Sequence, residues 1–328
     1  MSRNVHTTLR LGTRGSPLAL YQAHAVAGLL RARAGVSCEI VVIKTSGDRL
    51  AEAALADVGG KRLFVKEIED ALLAGDVDLA VHSSKDMPAQ LPEGLEIGAV
   101  LPREDPRDAL ILPGRHEAEQ SLDRIRAALG REPRIGTGSV RRIAQLVPFA
   151  AGARFLPVRG NLDTRLRKLD AGDYDALVLA AAGLRRLDHG ARISALLPVD
   201  LCVPAPGQGI IAVEIRRGDE QMAMTVRAID DRGASVALRV ERAVVERLGG
   251  GCQMPIGAYA QAHGDRVTVT SVVISPDGSH AVRADASGSI DEPEQIGTRA
   301  ADELLARGAD RILADVRRVP SAAEGKQS

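Results

Sequence analysis

The chain has 328 residues, nearly half hydrophobic and about a quarter charged, the balance of a soluble globular protein and more length than one compact core needs, so about two or three domains are expected. Lysine plus arginine equals aspartate plus glutamate at 43 each, which excludes a global field drawing the protein to nucleic acid or membrane and leaves any charge function local. Cys38, Cys202 and Cys252 are far apart without a CxxC pair, and the histidines show no HExxH, so neither a disulfide framework nor a metal site is expected.

In chain order, "MSRNVHTTLRLGTRGSP" lacks an apolar core of signal-peptide length, and no later segment approaches the roughly 20 uncharged residues of a membrane span, which predicts a cytoplasmic protein. "TTLRLG" reads as a strand, and Ser16 and Pro17 cap and open a helix through "LALYQAHAVAGLLRAR". "EIVVIKT" and "DLAVHSS" follow as strands with the helix "LFVKEIEDALLAG" between them, and the long connection "TSGDRLAEAALADVGGKR" predicts a lid. A second alternating set starts near Asp108: "RIGTG" into "SVRRIAQLVPFAA", "RFLPV" into "NLDTRLRKLDAG", "DALVLA" into "AGLRRLD". Such alternation is the pattern of parallel strands joined by helices. "LPREDPRD" and "VPAPGQG" bracket this set as hinges, and "IIAVEIRR" beyond them is a strand able to rejoin the first sheet. From Asp231 a helix "SVALRVERAVVERL", strands such as "RVTVTSVVI" turned at "SPDG", and a final helix around "EQIGTRAADELLARG" make a small α+β unit, ending in the tail "SAAEGKQS".

Charge is uneven locally. Arg134, Arg141, Arg142, Arg154, Arg159, Arg165, Arg167 and Lys168 fall in one stretch with a single acid, Asp163. Any one of them alone reads as a solvated helix face. Arg141, Arg142, Arg159 and Arg165 sit at predicted helix starts, where free N–H groups and the dipole favour anions and arginine forks match carboxylates, so they predict an anion-binding cleft; Arg154, Arg167 and Lys168 are left as surface charge. With three Phe, three Tyr and no Trp there is little to stack bases on, and the anion is expected to be small. "AVHSSKDMP" ends a strand at its carboxyl end, which points Asp86 into the same cleft to stabilise developing positive charge; a loop ion pair with Lys85 explains it equally well. His82 is given a structural role, since no GxSxG elbow accompanies it.

"GTGSVR" resembles a dinucleotide fingerprint only weakly, because Arg141 replaces its third glycine. Cys38 and Cys202 lie in apolar runs and read as small buried hydrophobes. In "LGGGCQMPIGAY", helix capping explains one or two of Gly249 to Gly251; a third argues for close approach by something other than protein and makes Cys252 a nucleophile or a covalent attachment point.

"LGTRGSPLAL", "GGKRLFVKE", "DLAVHSSKDMP", "GTGSVRR", "VRGNLDTRLRKLD", "AAAGLRRL", "PAPGQG" and "GGGCQMPIGAY" occur in the order and spacing of the porphobilinogen deaminase (hydroxymethylbilane synthase) family, a resemblance running from about Leu9 to beyond Ala306. It implies an α/β fold with two lobes like those of type II periplasmic binding proteins and a third α+β domain. With the hinges, this places domain 1 at residues 1–104 plus 204–228, domain 2 at 105–203 and domain 3 at 229–328. It further implies a dipyrromethane cofactor joined to Cys252 by a thioether. The implied reaction is a transferase's: head-to-tail condensation of four porphobilinogen molecules with loss of ammonia, giving a linear hydroxymethylbilane for tetrapyrrole (haem) synthesis. A cytoplasmic monomer is implied, with no nucleic-acid or membrane partner, its product passing to uroporphyrinogen-III synthase.

By motif, Asp86 is similar to the family's catalytic carboxylate, contacting pyrrole N–H groups and stabilising the cationic azafulvene formed as ammonia leaves. Ser83, Lys85, Asp86, Thr137, Ser139, Arg141, Arg142 and Gly183 resemble the cofactor's ligands. Arg14, Ser16, Gln22, Arg159, Arg165 and Arg186 resemble groups that hold substrate carboxylates, with Asp48 a further member. Tyr21, Gly138 and Arg62 depart from the pattern; Gly138 removes one hydroxyl contact and Arg62 bears on the lid. The alternatives are a non-catalytic two-lobed binding protein for small carboxylates, which leaves the glycine-flanked Cys252 unexplained, and a nucleotide-dependent oxidoreductase, which lacks its fingerprint.

Overall fold

The computed structural model describes residues 8–49, 64–114, 121–251 and 254–318. Cys252, Arg62, most of the expected lid and the C-terminal tail lie outside the described residues, as does the side chain of Asp48.

The first stretch runs β1 (Leu9–Thr13), α1 (Pro17–Ala34), β2 (Cys38–Val42), α2 (Ser46–Arg49), α3 (Lys66–Ala74), β3 (Leu79–Ser83) and β4 (Leu95–Val100). Ser16 caps α1 by accepting from the Ala19 N–H, Pro17 occupies its first turn, and Gly35 closes it in the left-handed region at φ 67°, each end as its residues dictate. The second stretch runs β5 (Asp108–Ile111), α4 (Leu122–Leu129), β6 (Arg134–Gly136), α5 (Val140–Leu146), β7 (Arg154–Leu156), α6 (Leu162–Asp170), β8 (Ala176–Ala180), α7 (Ala181–Arg186) and β9 (Ala195–Leu196). Beyond it come β10 (Ile211–Arg216) and α8 (Glu220–Arg227), then α9 (Arg232–Arg247), β11 (Ile256–His263), β12 (Arg266–Ile274), β13 (Ala281–Ser289), α10 (Pro293–Ala306) and α11 (Ala309–Arg318).

Three sheets result, ordered β2-β1-β3-β10-β4, β7-β6-β8-β5-β9 and β11-β12-β13. In each five-stranded sheet three strands are parallel and the next runs antiparallel to them, β10 against β3 and β5 against β8. The two lobes also repeat a clamp between neighbouring parallel strands: Arg10 of β1 donates through N and Nη2 to Asp78, just before β3, and Arg134 of β6 does the same to Asp175, just before β8, all at 2.7 to 2.8 Å. These are the two expected α/β lobes, and the antiparallel β11–β13 meander covered by α9 and α10 is the third, α+β unit.

Two chain crossovers join the lobes and are hydrogen-bonded to one another, Leu101 N to Ile211 O and Glu104 N to Gly209 O. The third unit grips both: Glu241 on α9, wholly buried, accepts from the Arg103 guanidinium at 2.5 Å, Gly207 N at 2.6 Å and Ala260 N at 2.7 Å. Arg103 also lies 4.9 Å over the Tyr259 ring, where desolvation strengthens the cation–π attraction.

Three expectations change. Helix α5 ends at Leu146, before Pro148, which has no N–H to carry the i to i−4 ladder on to Ala144 O. A further helix, α11, follows the expected final one across Gly308 at φ 95°. Cys38 is the half-buried first residue of the edge strand β2, and Cys202, though buried, lies in a loop where its Sγ donates to Asp108 Oδ2 at 3.4 Å. Burial first, then Asp108, pushes that thiol up to about 12, so it is inert as a nucleophile.

Candidate functional site

The carboxyl ends of β1, β3, β6 and β8 and the helix starts that follow them face one cleft between the lobes, as open α/β sheets require. A cavity of about 490 Å³ fills it, lined by Arg14, Ser16, Gln22, Ser83, Lys85 and Asp86 from the first lobe and Arg142, Arg159, Arg165, Gly183 and Arg186 from the second. A neighbouring cavity of about 210 Å³ extends to the third unit, where Leu238, Arg242, Val245, Met254 and Ile256 face Ser139, Arg141, Arg142, Lys85 and Asp86. Asp86, with Lys85 and Arg142, lines both. Thr137 is buried, and its Oγ1 accepts from Ser139 N at 3.4 Å; it lines neither cavity.

Local folding explains each placement. Lys85 and Asp86 stand on a single 3₁₀ turn directly after β3. Gln22, on α1, exchanges hydrogen bonds with Ser83 at 2.8 and 3.1 Å. Arg14 lies 4.3 Å over the Phe64 ring. Asn161 caps α6 through Thr164 N at 2.9 Å, and Arg165 one turn on donates to Gly160 O at 2.8 Å. Gly160 has φ 102°, and a Cβ there would meet Thr164 at 2.7 Å, so this turn admits only glycine. Arg186 donates to Gly209 O at 2.7 Å.

Electrostatically the centre is an arginine–carboxylate–arginine triad that sequence reading missed. Asp108, wholly buried on β5, accepts from Arg141 Nη2 at 2.8 Å through Oδ2 and from Arg142 Nε at 2.9 Å through Oδ1. Gln208 adds a third bond to Oδ1 at 2.9 Å. Burial alone would push this carboxyl up; Arg141, Arg142 and Gln208 outweigh it and hold it well below the usual range. Lys85 goes the other way: burial and then the like charge of Arg142 bring it down to about 8 despite Asp86 and Asp108. Arg165 is likewise lowered by burial and Arg142, against Asp86.

Two buried donors at the smaller cavity, Ser84 Oγ and Arg141 Nε, have no hydrogen-bond partner among the described residues. The three glycines before Cys252 divide their roles. Gly249 takes φ 60°, a Cβ on Gly250 would meet Ile256 Cδ1 at 2.3 Å, and Gly251 stands in open space on the wall of the smaller cavity. Two are thus explained by the protein itself, and the third faces the space a ligand would fill. Arg154 and Arg167 are exposed and, with Lys168, line neither cavity. Besides Asp108, the sequence reading passed over Gln208, Arg242, Phe64 and Asn161; the helix-cap pattern "GNLDT" was the available signal for Asn161.

Comparison with known proteins agrees along the chain. The family "Porphobilinogen deaminase, dipyromethane cofactor binding domain" matches residues 9–224, and "Porphobilinogen deaminase, C-terminal domain" matches residues 236–306. The protein named porphobilinogen deaminase from Geobacter metallireducens is 46% identical over 309 residues, 94% of this chain and 94% of that protein; its namesake from Moorella thermoacetica is 46% identical over 310, covering 94% and 96%. Among solved structures, the Bordetella pertussis BvgS periplasmic VFT2 domain aligns with 68% of this chain and 87% of its own at 19% identity and a TM-score of 0.38, too distant to add to the topology above. With two family domains matched in order and close to half of all residues shared over nearly the full length, the chain belongs to the porphobilinogen deaminase family.

Proposed function

We infer that the protein is a transferase that condenses four porphobilinogen molecules head to tail with release of ammonia and frees hydroxymethylbilane. The observation that carries this is the place of Asp86: one carboxylate where two cavities meet, ringed by cationic side chains from both lobes. The residues fit a dipyrromethane. The smaller cavity pairs an apolar wall for flat rings with Lys85, Arg141, Arg142 and Arg242 for carboxylate arms, its unpartnered Ser84 and Arg141 donors await acceptors, and its wall includes Gly251, the residue before Cys252.

In this reading Lys85, Ser139, Arg141 and Arg142 hold the cofactor in the smaller cavity, Ser83 and Gly183 meet it from the larger one, and Thr137 supports Ser139 from behind; joined through Cys252, it supplies when bound the nucleophilic pyrrole carbon that starts the chain. Arg14, Ser16, Gln22, Arg159, Arg165 and Arg186 line the larger cavity and take the acetate and propionate arms of the incoming substrate. Bidentate guanidinium–carboxylate pairing fixes both position and orientation there. Asp86 accepts from the pyrrole N–H of the substrate, stabilises the positive charge that develops on its methylene carbon as the C–N bond to ammonia breaks, and takes up the ring-carbon proton after the new C–C bond forms. The units at residues 1–104 plus 204–228, 105–203 and 229–328, action as a cytoplasmic monomer, and passage of the product to uroporphyrinogen-III synthase belong to the same reading. No helix among the described residues is long and apolar enough to cross a membrane.

The test is an intact mass with peptide mapping, followed by turnover of porphobilinogen. Two linked pyrrole units on the Cys252 peptide and release of hydroxymethylbilane are expected. D86N should keep the added mass and lose at least about a hundredfold in kcat, the usual weight of a positioned acid–base group; near-normal turnover would remove Asp86 from the role. A wild-type chain that stays bare after incubation with porphobilinogen and forms no product would favour the two-lobed carboxylate-binding reading.

A further inference from the structure

Gln208, in the second crossover, is 1% exposed, and its amide touches both lobes and the first crossover. Nε2 donates to Pro106 O in the first crossover at 2.7 Å and to Asp108 Oδ1 in the second lobe at 2.9 Å. Oε1 accepts from Lys85 Nζ of the first lobe at 3.4 Å and from Arg142 Nη2 of the second at 3.5 Å. Both donors and both lone-pair directions of the amide are therefore engaged. Turning it over would set its oxygen against a carbonyl and a carboxylate and its N–H groups against two cations, so its orientation is fixed.

We propose that Gln208 is a positioning residue that presents Lys85 and Arg142, one cation from each lobe, as a single binding pair for one ligand carboxylate. The inference rests on the deaminase reading above and assigns Gln208 a part in it. Lys85 and Arg142 repel each other, and after burial the charge of Arg142 does most to lower the Lys85 value. Among the described residues the charged groups facing Lys85 include Asp86 in its own turn, Arg141 and Arg142 on α5, Asp108 on β5 and, across the smaller cavity, Arg242 on α9. Asp108 is already shared between two arginines, and the Gln208 oxygen is an acceptor common to Lys85 and Arg142. At 3.4 and 3.5 Å its two bonds are longer than the usual range of about 2.7–3.2 Å, so a carboxylate oxygen, a stronger acceptor, displaces it at small cost. Meanwhile the Nε2 side keeps Asp108, and through it both arginines, in place.

The experiment is the pH dependence of kcat/KM for porphobilinogen in the holoenzyme, where the alkaline limb reports loss of a binding cation. Q208M removes the amide oxygen without adding charge, and Lys85 then loses its proton at lower pH. The expected result is a limb displaced downward in Q208M by on the order of one pH unit, a tenfold change on the flank, while the same change made in a K85R background, where the cation keeps its charge, leaves the limb where K85R alone has it. Loss of fold stability alone would lower activity in both backgrounds without moving the limb in one of them. A limb unmoved by Q208M, or moved equally in the K85R background, overturns the proposal. Wild-type protein that fails to turn over porphobilinogen at any pH instead overturns the deaminase reading on which it stands.

Discussion

Asp108 shows what a single buried charge does for this site. Both of its oxygens are taken by guanidinium groups, and Arg141 and Arg142 are themselves almost wholly buried, so D108N leaves two cations without their counter-ion. A loss of roughly 3 to 5 kcal/mol is expected, the usual cost of removing one partner of a buried pair, read as a lower denaturant midpoint. Because the folded value of Asp108 is depressed, its contribution is whole above the unfolded carboxylate value of about 4 and is lost as pH falls from there towards the folded value. Wild-type midpoints should therefore decline with acid below about pH 4, and D108N should lack that part of the slope. None of this was legible in "DPRDALIL", where Asp108 reads as the acid of a hinge. Its partners lie 33 and 34 positions away, and only the antiparallel return of β5 beside β8 brings them together. Asp86 was easier to find, because strand ends in such sheets face the cleft whatever the rest of the fold does.

Elements carry the arginines of the larger cavity, and their ends matter most. Asn161 supplies a side-chain acceptor to the first turn of α6, and Arg165 sits one turn inside it. N161A should cost about 1 kcal/mol and fray the turn that aims Arg165, raising KM for porphobilinogen several-fold with kcat little changed; a kcat loss at constant KM would show that the α6 start acts on chemistry. Periodicity and capping residues made α1, α6 and α9 readable to within a few positions. The helices that escaped, α2, α4, α8 and α11, have four, eight, eight and ten residues and lie in stretches rich in charge where the apolar stripe is narrow. Strand β9, with two residues, has no sequence signature to find.

At the scale of the molecule, Glu241 is where three units meet. Its carboxylate holds Arg103 of one crossover, Gly207 of the other and its own unit's β11. E241Q should lower the denaturant midpoint by an amount on the order of 3 kcal/mol and make the crossovers near residues 103–107 and 205–209 accessible to protease in the otherwise folded enzyme; an unchanged cleavage pattern would mean the third unit is held mainly by its apolar contacts. The sheet order has a separate effect, on synthesis. Strand β10 lies inside the first sheet, between β3 and β4, yet is translated only after the whole second lobe. A nascent chain of 200 residues therefore holds a second sheet complete in sequence and a first sheet missing an inner strand. The lobe made first must wait, its strand edges open, for the lobe made later, and this long-range pairing, slow by nature, sets the order in which the enzyme assembles.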